Sequence, residues 1–278
     1  MGAVIALAVV ALKKFDPFAA RPDRVISYRE VDGHPLRLHL FEAKGRGDPA
    51  GRPLLLLFHG GAWQYGGPQQ FFAQCRFFAR HGLSCVSAEY RIGSRHGTDA
   101  RAAVQDARAA FAYLADNASA LGIDPRRILA GGGSSGGHLA AALGTALSLP
   151  TEPGFADTGR RPAALVLYNP MLDLGPCTPD HHLVKDFWQQ VSPLRHIDSR
   201  VPPTLILLGD RDPEVPVTTG ETFCDAVAAQ GGVCELEVYQ GARHGFFNQR
   251  RHDPNYFELT NQRVLRFVRE RGLLGAAD

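Results

Sequence analysis

Ser134 and Ser135 stand in Ile128-Leu129-Ala130-Gly131-Gly132-Gly133-Ser134-Ser135-Gly136-Gly137-His138-Leu139-Ala140, which passes from apolar residues through small ones into alanines. A serine lifted clear of its backbone at a sharp strand-to-helix bend can attack a carbonyl, and only small flanking residues let the chain bend so tightly. Gly132-Gly133-Ser134-Ser135-Gly136 and Gly133-Ser134-Ser135-Gly136-Gly137 both satisfy G-x-S-x-G, so spacing leaves two frames open. The chemistry implied is that of a serine hydrolase. A glycine-rich turn without chemistry is the plain alternative.

A serine hydroxyl is a weak nucleophile near neutral pH and needs a base to take its proton. Among the 11 histidines, His244 lies in Gly241-Ala242-Arg243-His244-Gly245-Phe246-Phe247, after the last apolar strand-like stretch. Glycines there free the backbone to bring an imidazole over a sheet edge. A carboxylate must hold that imidazole in one tautomer and stabilise its charge. Gly209-Asp210-Arg211-Asp212-Pro213-Glu214-Val215-Pro216 offers Asp212, with Asp210 as rival, and a turn carboxylate is the plain reading of Asp210 and Glu214. The negative oxygen of a tetrahedral intermediate needs donors. His59-Gly60-Gly61-Ala62-Trp63 would supply the backbone N–H groups of Gly60 and Gly61.

These runs need a frame. Residues 25–31 and 36–41 read as two strands joined by a hairpin turn at Asp32-Gly33. Strands then alternate with helices: strands at 54–58, 84–89, 127–130, 163–167, 204–208 and 235–239, helices at 71–80, 100–116, 139–147, 218–230 and 256–271. Apolar strands separated by helices predict a mostly parallel sheet covered on both faces. Glycine and proline cluster around 149–162 and 169–180, so the region between the sixth and seventh strands departs from alternation, and residues 171–196 read as a partial lid. Residues 21–278 are expected to form one domain, behind an apolar stretch at 1–20.

A 45% hydrophobic, 21% charged composition with net charge +2 is that of an ordinary soluble globule, and scattered Lys and Arg give no basic face for nucleic acid. The apolar run 2–12 is too short for a membrane span, which needs roughly 20 residues. A degenerate signal or a short packing helix both fit it, and a periplasmic or secreted location is favoured over a cytoplasmic one. Five cysteines leave at least one unpaired. Cys75 with Cys85, and Cys224 with Cys234, could form local disulfides, leaving Cys177 over. Buried free thiols are the expectation, since a large core does not need staples. Adjacent His181-His182 beside Asp180 lack further ligands, so neither metal nor cofactor is expected.

The serine run resembles the G-D-S-A-G-G-N-L-A segment of α/β-hydrolase esterases of the hormone-sensitive-lipase-like kind. Aligning Leu139-Ala140 with its L-A places the nucleophile at Ser134 and makes Ser135 a backbone N–H donor. The acid run resembles the family's G-x-x-D-x-x-V-P, with Asp212 at the fourth place. The segments HGGAW, AEYRIGSRHG, LGIDPRRI, GGSSGGHLA and GARHGFFN are similar to a feruloyl-esterase-like and acetylxylan-esterase-like branch near those esterases. The resemblance implies an eight-stranded α/β-hydrolase fold and a carboxylic-ester hydrolase acting on short-chain or carbohydrate-linked acyl esters. Asp106 resembles the family's structural aspartate.

Ala62 stands where many relatives have a third glycine, Gly133 where the usual residue is aspartate, and His138 where it is asparagine. His138, four residues past Ser134 on the same helix, is expected to bond locally. Trp63, Tyr65, Met171, Leu172, Phe187 and Trp188 are candidates to line the substrate pocket, although core packing explains each as well. Two rivals stay open: an amide hydrolase using the same triad, and a binding protein of this fold without catalysis.

Overall fold

The computed structural model describes residues 20–44, 51–152, 159–249 and 254–275. The apolar run 2–12, with the signal or packing helix it suggested, lies outside them. The chain opens with β1 (Arg24–Val31) and β2 (His34–Phe41), antiparallel across Asp32 and Gly33, both with positive φ as a two-residue hairpin turn requires. Then follow β3 (Arg52–Phe58), α1 (Phe72–Arg80), β4 (Ser84–Ala88), α2 (Gly93–His96), α3 (Ala100–Asp116), β5 (Ile123–Gly133), α4 (Ser135–Gly144) and β6 (Leu165–Tyr168). Two short helices, α5 (His181–Val184) and α6 (Trp188–Val191), precede β7 (Thr204–Gly209), α7 (Val217–Ala229), β8 (Cys234–Tyr239) and α8 (Pro254–Glu270). The eight strands form one sheet in the order β1-β2-β4-β3-β5-β6-β7-β8, parallel from β4 to β8.

Burial on both faces explains the unbroken apolar strands. Leu54, Leu56 and Phe58 pack into one core while Leu55 and Leu57 pack into the other, the two-residue period of a strand sandwiched between helices. The first core holds α3, α4 and the inner side of residues 171–196; the second holds α1 and α8. Asp99 caps α3 by accepting the Arg101 N–H at 2.9 Å. Asp106, fully buried on α3, accepts from Arg29 of β1 and from the Arg91 side chain and backbone N–H, all within 2.9 Å. Glu152 pairs with the same two arginines, so the paired charges tie the antiparallel edge to the helical layer.

The expectation of free thiols is overturned. Cys75–Cys85 joins α1 to β4 and Cys224–Cys234 joins α7 to β8. A helix that turns straight back into the next strand brings the two Cα atoms to 4.9 and 5.0 Å, within the range a disulfide spans. Cys177 is free and exposed. No helix among the described residues is long and apolar enough to cross a membrane.

The sheet also says where a site belongs. From β3 the chain crosses to β4 on one side and then returns over β3 to β5 on the other, so winding reverses between β3 and β5. Loops leaving the carboxyl ends of such a strand pair diverge and leave a crevice.

Candidate active site

Ser134 occupies the bend between β5 and α4 with φ 55° and ψ −120°, a strained conformation for a residue with a side chain. The bend closes because Gly132 and Gly136 touch: a Cβ on Gly132 would lie 2.4 Å from the Gly136 carbonyl oxygen, and one on Gly136 would lie 2.0 Å from that of Phe58. Those two glycines flank Ser134 symmetrically, which separates the two frames. Ser134 lines a cavity, whereas Ser135 is fully buried as the first residue of α4. Gly133 also has a cause. A Cβ there would come 2.4 Å from the Phe247 ring, which fills the space an aspartate would need.

The cavity, about 320 Å³, lies at the crevice and is lined by Gly60, Gly61 and Ala62 after β3, Ser134 after β5, Asn169 after β6, Glu214 after β7 and His244 after β8. His244 Nδ1 hydrogen-bonds Asp212 Oδ2 at 2.8 Å. The other Asp212 oxygen accepts the N–H groups of Glu214 and Val215, at 2.8 and 3.0 Å, so the carboxylate is fixed by its own loop. Burial would raise the Asp212 pKa, but the imidazole and those two amides outweigh it and hold it below the usual carboxylate range. For His244, burial alone would lower the pKa; the hydrogen bond and charge of Asp212, then the charges of Glu214 and Asp180, raise it. Asp210 turns away and accepts the Gly241 N–H at 2.6 Å.

His244 Nε2 has neighbours that spacing did not foresee. Glu214 Oε2 and Asn169 Nδ2 each lie 3.4 Å from it, and no hydrogen bond joins it to Ser134 Oγ in this state. Such bonds are often loose until substrate binds. Asn169 is buried, and its Oδ1 accepts the Gly245 N–H at 3.0 Å, holding the histidine loop against the end of β6. Only an apolar strand ending in Asn169-Pro170 hinted at it.

The donor assignment needs one correction. The Gly60 N–H already donates to Gln70 Oε1 at 2.6 Å, so it is not free to meet a substrate oxygen. The N–H groups of Gly61, Ala62 and Ser135 have no such partner among the described residues. Gly61, Ala62 and Trp63 take φ of 124°, 53° and 57°, a left-handed run that bends the loop under the cavity. His59, beneath that loop, stacks on Tyr90 at 4.3 Å between centroids, and burial holds its pKa down at about 4.

The proposed pocket residues divide. Tyr65 lines the cavity at its exposed rim. Trp63 does not: it is buried, with its Nε1–H donated to His138 Nδ1 at 3.2 Å. Met171 and Leu172 line a neighbouring cavity. Phe187 lies under the Arg101 guanidinium, and Trp188 lines a separate hollow beside Arg195, so neither borders the Ser134 cavity. A residue next to a site loop can point into the core behind it, as Trp63 does.

A model of the alpha/beta hydrolase fold matches residues 55–191, and the dienelactone hydrolase family model matches residues 188–271. The first span holds Ser134 and the glycine loop, the second Asp212 and His244. The chain is 35% identical to the thermophilic esterase Est2 of the planctomycete Thermogutta terrifontis, with a TM-score of 0.83 over 91% of this chain and 93% of that one. A butyrate-bound structure of that esterase gives 34% identity and a TM-score of 0.84 over 92% and 96%. Esterase LipQ of Mycobacterium tuberculosis is 30% identical over 217 residues, which are 70% of this chain and 50% of LipQ. The chain spans about half the length of the curated relatives first matched. It belongs to the α/β-hydrolase family.

Proposed function

We propose that the protein is a serine carboxylesterase working through an acyl-enzyme. Ser134 Oγ attacks the ester carbonyl as His244 Nε2 takes its proton. Asp212 holds the imidazole by Nδ1 and balances its charge. The N–H groups of Gly61, Ala62 and Ser135 receive the negative oxygen. The imidazolium then protonates the leaving alcohol, the C–O bond breaks, and water repeats the cycle on the acyl-enzyme. The observation that carries this reading is the 2.8 Å His244–Asp212 bond on an imidazole that shares its cavity with Ser134.

Similarity to proteins described as esterases supports ester over amide bonds. The propionate- and butyrate-bound forms of the Thermogutta enzyme support short acyl groups. A carbohydrate alcohol rests on the resemblance to feruloyl- and acetylxylan-esterase-like proteins, and acetylated xylan tests it. The two disulfides support an oxidising, exported location.

Ser134→Ala is expected to remove p-nitrophenyl acetate hydrolysis by a factor on the order of 10⁶ with the fold intact by circular dichroism. It should also abolish labelling by a fluorophosphonate probe. Retained activity in Ser134→Ala, with loss in Ser135→Ala, would sink the assignment. Faster turnover of a matched amide than of the ester would overturn the choice of bond.

A further inference from the structure

Glu214 lines both the Ser134 cavity and a second cavity of about 310 Å³. The second is lined mainly by apolar side chains, Met171, Leu172 and Val215 among them, with Asp173, Cys177, Thr178 and Thr219 as polar members. Sequence neighbours divide between the two spaces: Asn169 faces one and Pro170 the other, as do Asp180 and Pro179. Adjacent residues of one chain thus line different spaces, and Glu214 borders both. Its backbone is pinned, with N–H donated to Asp212, but its half-exposed carboxylate has His244 as its ion-pair partner among the described residues. A half-exposed side chain held at the root, with one ion pair at its tip, can swing when that pair is exchanged for substrate.

The chemistry gives the second cavity a side. In acylation the proton taken from Ser134 is delivered by His244 Nε2 to the leaving oxygen, so that oxygen must come within hydrogen-bond reach of Nε2. The Glu214 carboxylate already sits 3.4 Å from Nε2. A leaving oxygen at Nε2 therefore lies beside Glu214, which also borders the hollow that holds Met171, Leu172 and Val215. Resting on the carboxylesterase reading, we propose that Glu214 is a specificity-determining residue that closes the alcohol side of the site. The enzyme then takes esters of small alcohols, and a longer apolar alcohol enters the second cavity only when this side chain is gone or displaced.

The test compares wild type, Glu214→Ala and Glu214→Gln on acetate esters of ethanol, butanol, hexanol and octanol. Acyl length is varied separately with p-nitrophenyl acetate to octanoate. Glu214→Ala is expected to raise kcat/KM for hexyl relative to ethyl acetate on the order of tenfold, chiefly through KM, since each methylene newly seated in an apolar pocket can carry such a factor. Glu214→Gln, of equal size, should keep the wild-type alcohol profile, and the acyl profile should keep its shape in both variants. Parallel alcohol profiles in wild type and Glu214→Ala, or a gain on the acyl series alone, would overturn the proposal. Fluorophosphonate labelling and hydrolysis of ethyl acetate by each variant separate the two failures: if all label at Ser134 and cleave the ester while no alcohol profile moves, Glu214 is misassigned and the esterase reading survives. Loss of labelling in wild type would instead remove the esterase reading.

Discussion

Two imidazoles flank Ser134, and their surroundings are opposite. His138, one turn into α4, is fully buried; its Nδ1 accepts from Trp63 and its Nε2 donates to the Val191 carbonyl at 2.8 Å. Burial, opposed by that carbonyl, holds its pKa down at about 4. His244, on the loop after β8, is partly exposed and faced by three carboxylates that raise its pKa in spite of burial. His138 is locked in one neutral tautomer, because a proton added at Nδ1 would confront the Trp63 N–H. It therefore acts as a strut between the glycine loop, α4 and residue 191. His244 is surrounded by groups that welcome a second proton, which is what a base must carry for part of each cycle. Charge around the ring, more than its distance along the chain from the serine, separates the two roles.

That contrast can be broken by mutation. Replacing His244 with Ala should lower kcat on the order of 10⁶-fold, and Asp212→Asn should lower it on the order of 10⁴-fold. Both should leave the folded state intact, as judged by circular dichroism. His138→Leu should do the reverse. Leaving the Trp63 N–H and the Val191 carbonyl buried without partners costs about 2–4 kcal/mol, read from urea unfolding, while kcat/KM stays within roughly tenfold of wild type. A His138 variant that is stable but inactive would erase the distinction.

Titration sharpens it. The folded protein keeps His138 neutral down to about 4, whereas an unfolded histidine titrates near 6.5, so the unfolded state binds more protons in between. Stability is then lost as pH falls from 6.5 toward 4, by about 3 kcal/mol at most from this group. His138→Asn should remove that part of the slope in urea melts at successive pH values, leaving the part due to His59. For His244 the sign is opposite. Its raised pKa places the acid limb of kcat/KM above the ordinary histidine value, since the protonated ring cannot accept the serine proton. Glu214→Gln removes one of three facing charges, leaving Asp212 and Asp180, and should move that limb to lower pH. An upward move would mean that Glu214 does not act on the imidazole.

The fold was readable because its signals are local: apolar strands of five to seven residues such as Arg52–Phe58 alternate with helices, and the hairpin turn declares itself in Asp32-Gly33. Ser134, Asp212 and His244 were nameable as candidates for the same reason, each standing in a short run just past a strand. Gln70 and Asn169 stand in no motif of this kind, and Glu214, although in the same run as Asp212, reads there as a turn carboxylate. Gln70 reaches Gly60 from the turn before α1, and Asn169 meets Gly245 across 76 residues of sequence, contacts that exist only once the sheet is assembled. Trp63 failed for a related cause. Its left-handed backbone turns the ring toward α4, and periodicity says nothing about a single residue with positive φ. The cysteine pairs depend on how tightly a helix doubles back onto its strand, which their ten-residue separation permits but does not dictate.

Every group gathered at Ser134 hangs from the carboxyl end of a parallel strand, and the opposite rim of the sheet takes no share in it. On that rim Gly122 leads into β5 and Gly231 precedes β8, each in a left-handed turn with nothing within 4 Å of where a side chain would begin. Peptides grafted there, or tethers to a solid support, would leave the catalytic mouth pointing outward, so the molecule offers an attachment pole distinct from its reacting one.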